Sequence, residues 1–190
     1  MIESRFWRKE LRADIAWLRR HRRFKRWSEG QQVLFERGLM MVAFQVRVLL
    51  EHSKVDGKVG RTTIKAQFFP KIGDEPVTWM NALDFHDHFD VDNPRNVTLS
   101  IRDVCNQLIH HYVMFAFGRG FKGFEQIVVF SDYHKNTGMY EMNAEALIEL
   151  FARFAHESSH AHYTQMIWNE KRRDYEFSTD PEPEPVQAVT

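Results

Sequence analysis

Ser100-Ile-Arg-Asp-Val-Cys-Asn-Gln-Leu-Ile-His-His-Tyr-Val-Met-Phe-Ala-Phe117 is the stretch on which the reading of the fold turns. It opens with Ser100-x-x-Asp103, a capping-box form, and the spacing predicts a helix to about Phe117. Ile101, Val104, Cys105, Leu108, Tyr112 and Phe115 share one face of that helix, and Ile109, Val113 and Ala116 a second. A helix apolar on nearly every side is a buried one. Arg102, Asn106 and His110 interrupt it at i, i+4 and i+8, drifting by about 40° per step and so sharing one strip of surface. Buried polar groups need partners, because each left unpaired costs about 1–3 kcal/mol. Three readings follow. The strip is an RNA-cleaving site, a ligand- or RNA-binding surface without chemistry, or a hydrogen-bond network that pins the helix. In the first, His110 moves the proton of a 2′-hydroxyl, Arg102 stabilises the phosphorane and Asn106 orients the pair.

On the N-terminal side of this stretch, Trp7, Leu11, Ile15 and Leu18 predict a helix over about 3–26. Ser28-x-x-Gln31 starts a second, whose stripe Phe35, Leu39, Val42, Val46 and Leu49 is expected to pack on the first as a hairpin. Residues 62–70 read as a short strand ending at Pro70, and 71–98 as irregular, with a helical turn near 77–83. On the C-terminal side, Gly118, Gly120 and Gly123 form a flexible connection. The strand Gln126–Ser131 pairs with Gly138–Met142 across the loop 132–137. Asn143 caps a last long helix carrying Leu147, Phe151, Phe154, Ser158, Ala161, Gln165 and Trp168. The expected fold is mainly α, in the strict sense α+β: about four helices in a bundle with a small two- to three-stranded antiparallel sheet. It forms one domain over 1–173, with an acidic, proline-rich tail over 174–190.

The whole chain has a net charge of zero, which hides an asymmetry. Residues 1–26 hold ten Lys or Arg against three acids, a balance of +7. Asp180-Pro-Glu-Pro-Glu-Pro lies at the other end. Arg19, Arg20, Arg22 and Arg23 are candidates for contact with nucleic acid or an acidic protein partner. The plain alternative is a helix with a solvated charged face, or one that meets the protein's own acidic tail. The lone Cys105 forms no internal disulfide, and no apolar run is long enough to span a bilayer. The Met1–Arg8 stretch enters a charged helix rather than a signal segment, so the cytoplasm, without a membrane contact, is the expected location. No phosphate-binding loop or GxSxG elbow is present. Gly118-x-Gly120-x-x-Gly123 follows a helix in this reading, the reverse of the dinucleotide context.

His156-Glu157-Ser158-Ser159-His160 matches H-E-x-x-H, the spacing that sets two imidazoles one helical turn apart beside a general base. It resembles the active-site helix of zinc metallopeptidases, with His156 and His160 as metal ligands. Catalytic zinc needs a third protein ligand, for which Glu170, Asp174 and Glu176 are the downstream candidates. The plain alternative is a pair of surface histidines. Asp84-x-His86-x-His88-x-Asp90 alternates acids and imidazoles in an irregular segment, as a metal site or, more simply, a solvated loop.

Phe6-Trp7 with Trp17, Phe35-x9-Gln45-Val-Arg47-x2-Leu50-Glu51, Val104-Cys-Asn-Gln-Leu-Ile-His110-His-Tyr-Val113 and Val129-Phe-Ser131-Asp132 resemble a set of uncharacterised bacterial proteins of about this length. That resemblance covers roughly residues 3–156, and its most specific piece is Cys-Asn-Gln-x-Ile-His. The chain also resembles, more weakly, the HEPN superfamily of helical RNases and RNA-binding modules of toxins and antiviral systems. In those proteins the Arg and His stand closer together than Arg102 and His110, which have seven residues between them. Arg47 is placed to supply a charge to the motif or to pair with Glu51 one turn on. The HEPN resemblance implies a homodimer that binds RNA or cleaves it by metal-independent transesterification, with no cofactor. The other two expectations are a non-enzymatic component of a defence or regulatory complex, in which the basic helix docks a protein partner, and a zinc hydrolase at His156, Glu157 and His160.

Overall fold

Ser100 does cap a helix, its Oγ accepting from the Asp103 amide at 3.2 Å, but that helix stops after nine residues. The computed structural model describes residues 4–24, 28–52, 55, 57–118, 123–156 and 165–178. Two long helices open the chain, α1 (Ser4–His21) and α2 (Glu29–Glu51). Leu11, Ile15 and Leu18 of α1 pack with Phe35, Leu39, Val42, Val46 and Leu49 of α2 in one core, as the two stripes predict. Ser28 and Gln31 form the reciprocal cap at the start of α2. A one-turn helix, α3 (Gly57–Gly60), leads into β1 (Thr63–Pro70). The chain then leaves the sheet for residues 71–94, which include the one-turn helix α4 (Phe85–His88), and returns as β2 (Arg95–Ser100). After α5 (Ile101–Ile109) come β3 (His111–Phe117), β4 (Gln126–Ser131), β5 (Gly138–Asn143) and α6 (Ala144–His156). A separate hairpin, β6 (Gln165–Asn169) and β7 (Asp174–Ser178), closes the described chain.

Strands β1 to β5 form one antiparallel sheet in the order β2-β1-β5-β4-β3. Helix α5 therefore carries the chain from one sheet edge to the other. Ile64, Ala66, Leu99, Met114, Ile127, Val129 and Met142 share the main core with α1, α2, α5 and α6. Phe69, Tyr112, Val128, Phe130 and Met139 form a second core with Val77, Ala82 and Phe89 from the 71–94 excursion. The sheet is thus layered between helices on its inner face and an irregular cover on its outer face.

The fold is therefore α+β around a five-stranded antiparallel sheet, which corrects the expected helical bundle with two or three strands. The largest difference is β3, expected as the second half of a helix. Its Met114 and Ala116 are buried in the inner core while Val113, Phe115 and Phe117 pack toward the outer one. A strand covered on both faces reads as an unbroken apolar run, which periodicity does not distinguish from a buried helix. Gly118 and Gly123 consequently connect two strands rather than a helix and a strand. The other differences are a missed edge strand, β2, mostly polar because one side of it faces solvent, and the last helix, described as Ala144–His156, which does not reach Trp168 because Gln165–Asn169 is a strand. Gln165 and Trp168 lie on β6, and the tail expected from residue 174 begins with β7. Strands β1, β4 and β5, and the β4–β5 pairing, stand where the sequence places them. Among the described residues no helix is long and apolar enough to cross a membrane.

Candidate functional site

Asn106 lies half-buried on α5, and its side-chain oxygen accepts a hydrogen bond from Arg47 Nη1 of α2. The same guanidinium donates through Nε to Glu51 Oε1 at 2.6 Å. Arg47 thus does both things the sequence offered it, pairing with Glu51 and entering the Asn106 strip. Arg102 and His110 are exposed, and His110 is the residue after the helix, its amide donating to the Asn106 carbonyl. Among the described residues no hydrogen bond joins the side chain of Arg102 or His110 to Asn106. Asn106 belongs to a clamp between α2 and α5. Beside it, burial pushes the Cys105 thiol up to about 12, against the opposing charges of Arg47 and Arg102. Burial also raises the Glu36 carboxyl above its ordinary value, opposed by a hydrogen bond from Gln32 and by the charge of His111.

Sequence reasoning missed the polar group that α5 buries most deeply, Gln107. Its Oε1 accepts from the Ser131 amide at 2.9 Å, which leaves its Nε2 to donate to His134 Nδ1 at 2.8 Å. Ser131 Oγ lies 3.1 Å from the same nitrogen. An Nδ1 that accepts from Gln107 places the ring proton on Nε2. The network ties the end of α5 to the β4–β5 turn. One signal was available: Gln107 shares the buried side of a short helix with Val104 and Leu108, where an amide needs partners.

The basic first helix finds its acidic partner within the chain. Arg19 makes a bidentate pair with Glu149 of α6, at 2.7 and 2.9 Å from Nη2. Arg22 reaches Glu145 at 3.3 Å and donates to the Phe124 carbonyl, while Arg12 donates to the Ala155 carbonyl at 2.8 Å. Two of the four expected nucleic-acid contacts, Arg19 and Arg22, are therefore engaged with α6, and Arg20 and Arg23 face solvent on or just past α1.

His156 is the exposed last residue of α6, whereas Glu157 and His160 lie outside the described residues. In the other histidine cluster His86 is exposed, Asp90 Oδ1 is taken by the amide and side chain of Asn93, and His88 is buried. Both ring nitrogens of His88 are buried without a hydrogen-bond partner. Among the described residues no three His, Cys, Asp or Glu side chains gather to hold a metal.

The concavity that the sequence did not reveal lies on the outer face of the sheet. A groove of about 440 Å³ runs where the 71–94 excursion stops short of covering the strands. Its floor is a cross-strand row, Gln67 opposite Glu141, Glu141 opposite Val128 and Val128 opposite Phe115. Phe69 and Met139 extend the floor, and Phe85, His86, Val91 and Pro94 of the excursion make the wall. Phe85 stacks on Phe115 with ring centres 5.2 Å apart, and Phe117 follows at 6.1 Å. A smaller depression of about 250 Å³ shares Phe117 and Glu141 and adds Glu125 and Gln126. A different cleft, of about 290 Å³, lies between α1 and α2 beside Asp14, Trp17 and Leu34. There a Cβ at Gly38 would press on the Trp17 ring at 3.0 Å, so the ring would have to give by a few tenths of an ångström. No family model, curated protein or solved structure matches the chain.

Proposed function

We propose that the protein is a non-catalytic binding module whose ligand site is the outer-face groove, and that its ligand is a small molecule with an apolar, ring-bearing body. One observation carries this reading: the excursion covers only part of the outer face and leaves a concavity lined by Phe69, Phe85, Phe115, Phe117, Val128 and Met139. Sites for small molecules are concavities of roughly 300–1,000 Å³, mostly apolar, with a few polar groups that fix orientation. Gln67 and Glu141 are those groups here, side by side on one end of the floor. The aromatic walls favour a flat ligand through stacking. A two-ring ligand hides on the order of 200 Å² of apolar surface, a gross gain of about 5 kcal/mol. Taken alone, that gain corresponds to a dissociation constant of only about 0.2 mM, and the cost of association weakens it further, so affinity requires a ligand that also matches Gln67 and Glu141.

Arg102, Asn106 and His110 do not support a ribonuclease reading, because Arg47 holds the Asn106 oxygen and the helix ends before His110. The expected helical bundle is itself corrected to helices packed on a five-stranded sheet. The reading that gains is the non-enzymatic one, with the groove as the element that binds.

The test is a titration with N-phenyl-1-naphthylamine, a neutral aromatic dye that fluoresces on leaving water. Saturable one-to-one binding is expected. Gln67 is exposed on the groove floor, so Gln67→Trp fills the groove from a position whose own burial is slight. This variant is expected to weaken binding at least about ten-fold, a loss of about 1.4 kcal/mol, with an unchanged melting temperature. Binding that Gln67→Trp leaves intact would place the dye elsewhere and count against the groove.

A further inference from the structure

The sheet has two edges, and the chain treats them differently. β2 is guarded as exposed edges usually are: Pro94 precedes it, Arg95 opens it, and Arg95, Asn96 and Thr98 are exposed. β3, His111-Tyr-Val-Met-Phe-Ala-Phe117, is the longer of the two and holds no Lys, Arg, Asp, Glu or Pro; its one irregularity is a bulge near its start. β4 pairs with one side of β3. Apart from the hairpin bond to the Phe117 carbonyl, no loop or helix donates to or accepts from the backbone of its other side among the described residues. Beside its first residues lies the most exposed apolar surface of the outer layer. Trp79, stacked on Tyr112 at 4.1 Å, is 77% exposed, and Met80 and Leu83 are 93% and 71% exposed. Unguarded edge amides next to a large apolar patch are the signature of a strand-pairing interface.

We propose that β3 pairs antiparallel with β3 of a second copy, joining two five-stranded sheets into one of ten strands. A second copy fits where a charged peptide does not, because β3 holds no Lys, Arg, Asp or Glu to answer one, and its single titratable residue outside the tyrosine, His111, sits at the strand's start, where an antiparallel image sets Phe117 rather than a second His111 opposite it. The symmetry follows from the geometry. A two-fold axis perpendicular to the sheet makes the two edge strands antiparallel and keeps both outer faces on the same side. The start of one β3 then lies opposite the end of the other, about 4.8 Å away. That arrangement brings Trp79, Met80 and Leu83 of one protomer over the Phe117 end of the partner's groove, so each copy supplies part of the wall its neighbour's groove lacks. Self-association does not depend on what the groove binds, and its test is separate.

The experiment is sedimentation of the full chain from low to high micromolar concentration, with three samples. Wild type is expected to pass from monomer to dimer. Phe115→Lys and Phe115→Glu, each checked for a native circular dichroism spectrum, place like charges near the dyad and are expected to weaken the dimer at least about ten-fold. Mixed in equal amounts, the two variants are expected to recover a dimer, which a merely destabilised fold would not do. Hydrogen exchange on wild type supplies the second readout: the amides of residues 112–117 that face away from β4 gain protection as concentration rises. A wild-type monomer at every concentration overturns the proposal, as does a dimer that both folded single variants leave unchanged. A dimer whose β3 amides exchange no more slowly than in the monomer would locate the interface elsewhere and overturn it too.

Discussion

Cys105 has no exposed surface on α5, and the consequence is thermodynamic as well as steric. Its thiol is pushed up to about 12 from an ordinary 9.0 because burial disfavours the thiolate. The sign of the linkage follows. A folded pKa above the unfolded one stabilises the native state fully below pH 9, and that contribution is lost as pH rises from 9 toward 12. Wild type should therefore lose stability more steeply than Cys105→Ala above pH 9, read as the denaturant midpoint against pH. The native thiol should also ignore a thiol reagent at pH 8 and react on unfolding. A native thiol that reacts at once would contradict the burial. His88 shows the opposite kind of side chain, a polar ring buried with neither nitrogen satisfied, in a helix of a single turn that walls the groove through Phe85 and His86.

Between elements, the group of greatest consequence is Arg47. One guanidinium bridges Glu51 on its own helix and Asn106 on α5, which joins α2 to the helix that crosses the sheet. Arg47→Ala removes the donor and leaves a half-buried amide oxygen without it, a loss of about 1–3 kcal/mol. His110→Ala, at an exposed position after the helix, should stay within about 0.5 kcal/mol of wild type. Chemical denaturation of both variants checks this, and the reverse order of effects would mean that His110 rather than Arg47 organises the strip. Arg102, Asn106 and His110 could be picked out from the sequence as a line because they fall at helical spacing. That spacing has no meaning past Ile109, where the chain turns into β3. Gln107 went unread for the complementary reason: its partners, Ser131 at the end of β4 and His134 in the turn that follows, lie more than twenty residues away. The ion pairs of Arg19 and Arg22 with α6 likewise join segments that no local pattern connects.

At the scale of the molecule, three strands were legible because turn residues bound them, and of their pairings only that of β4 with β5 is local: β1 ends at Pro70, and β4 and β5 flank the turn 132–137. β3 was not, because sequence reads a doubly covered strand and a buried helix as the same apolar run. The groove was invisible for a further reason. Phe69, Phe85, Phe115, Val128 and Met139 come from five separate segments, and their meeting depends on a strand order that only the folded sheet defines. The central claim is that this meeting place binds. Its most direct test is photolabelling of the native protein with a small benzophenone, a ring-bearing apolar ligand that inserts into nearby C–H bonds, followed by peptide mapping. Labels on Val91, Phe115 or Met139, competed away by N-phenyl-1-naphthylamine, are the predicted result. Labels confined to the α1–α2 cleft at Trp17, Leu34 or Met41 would contradict it.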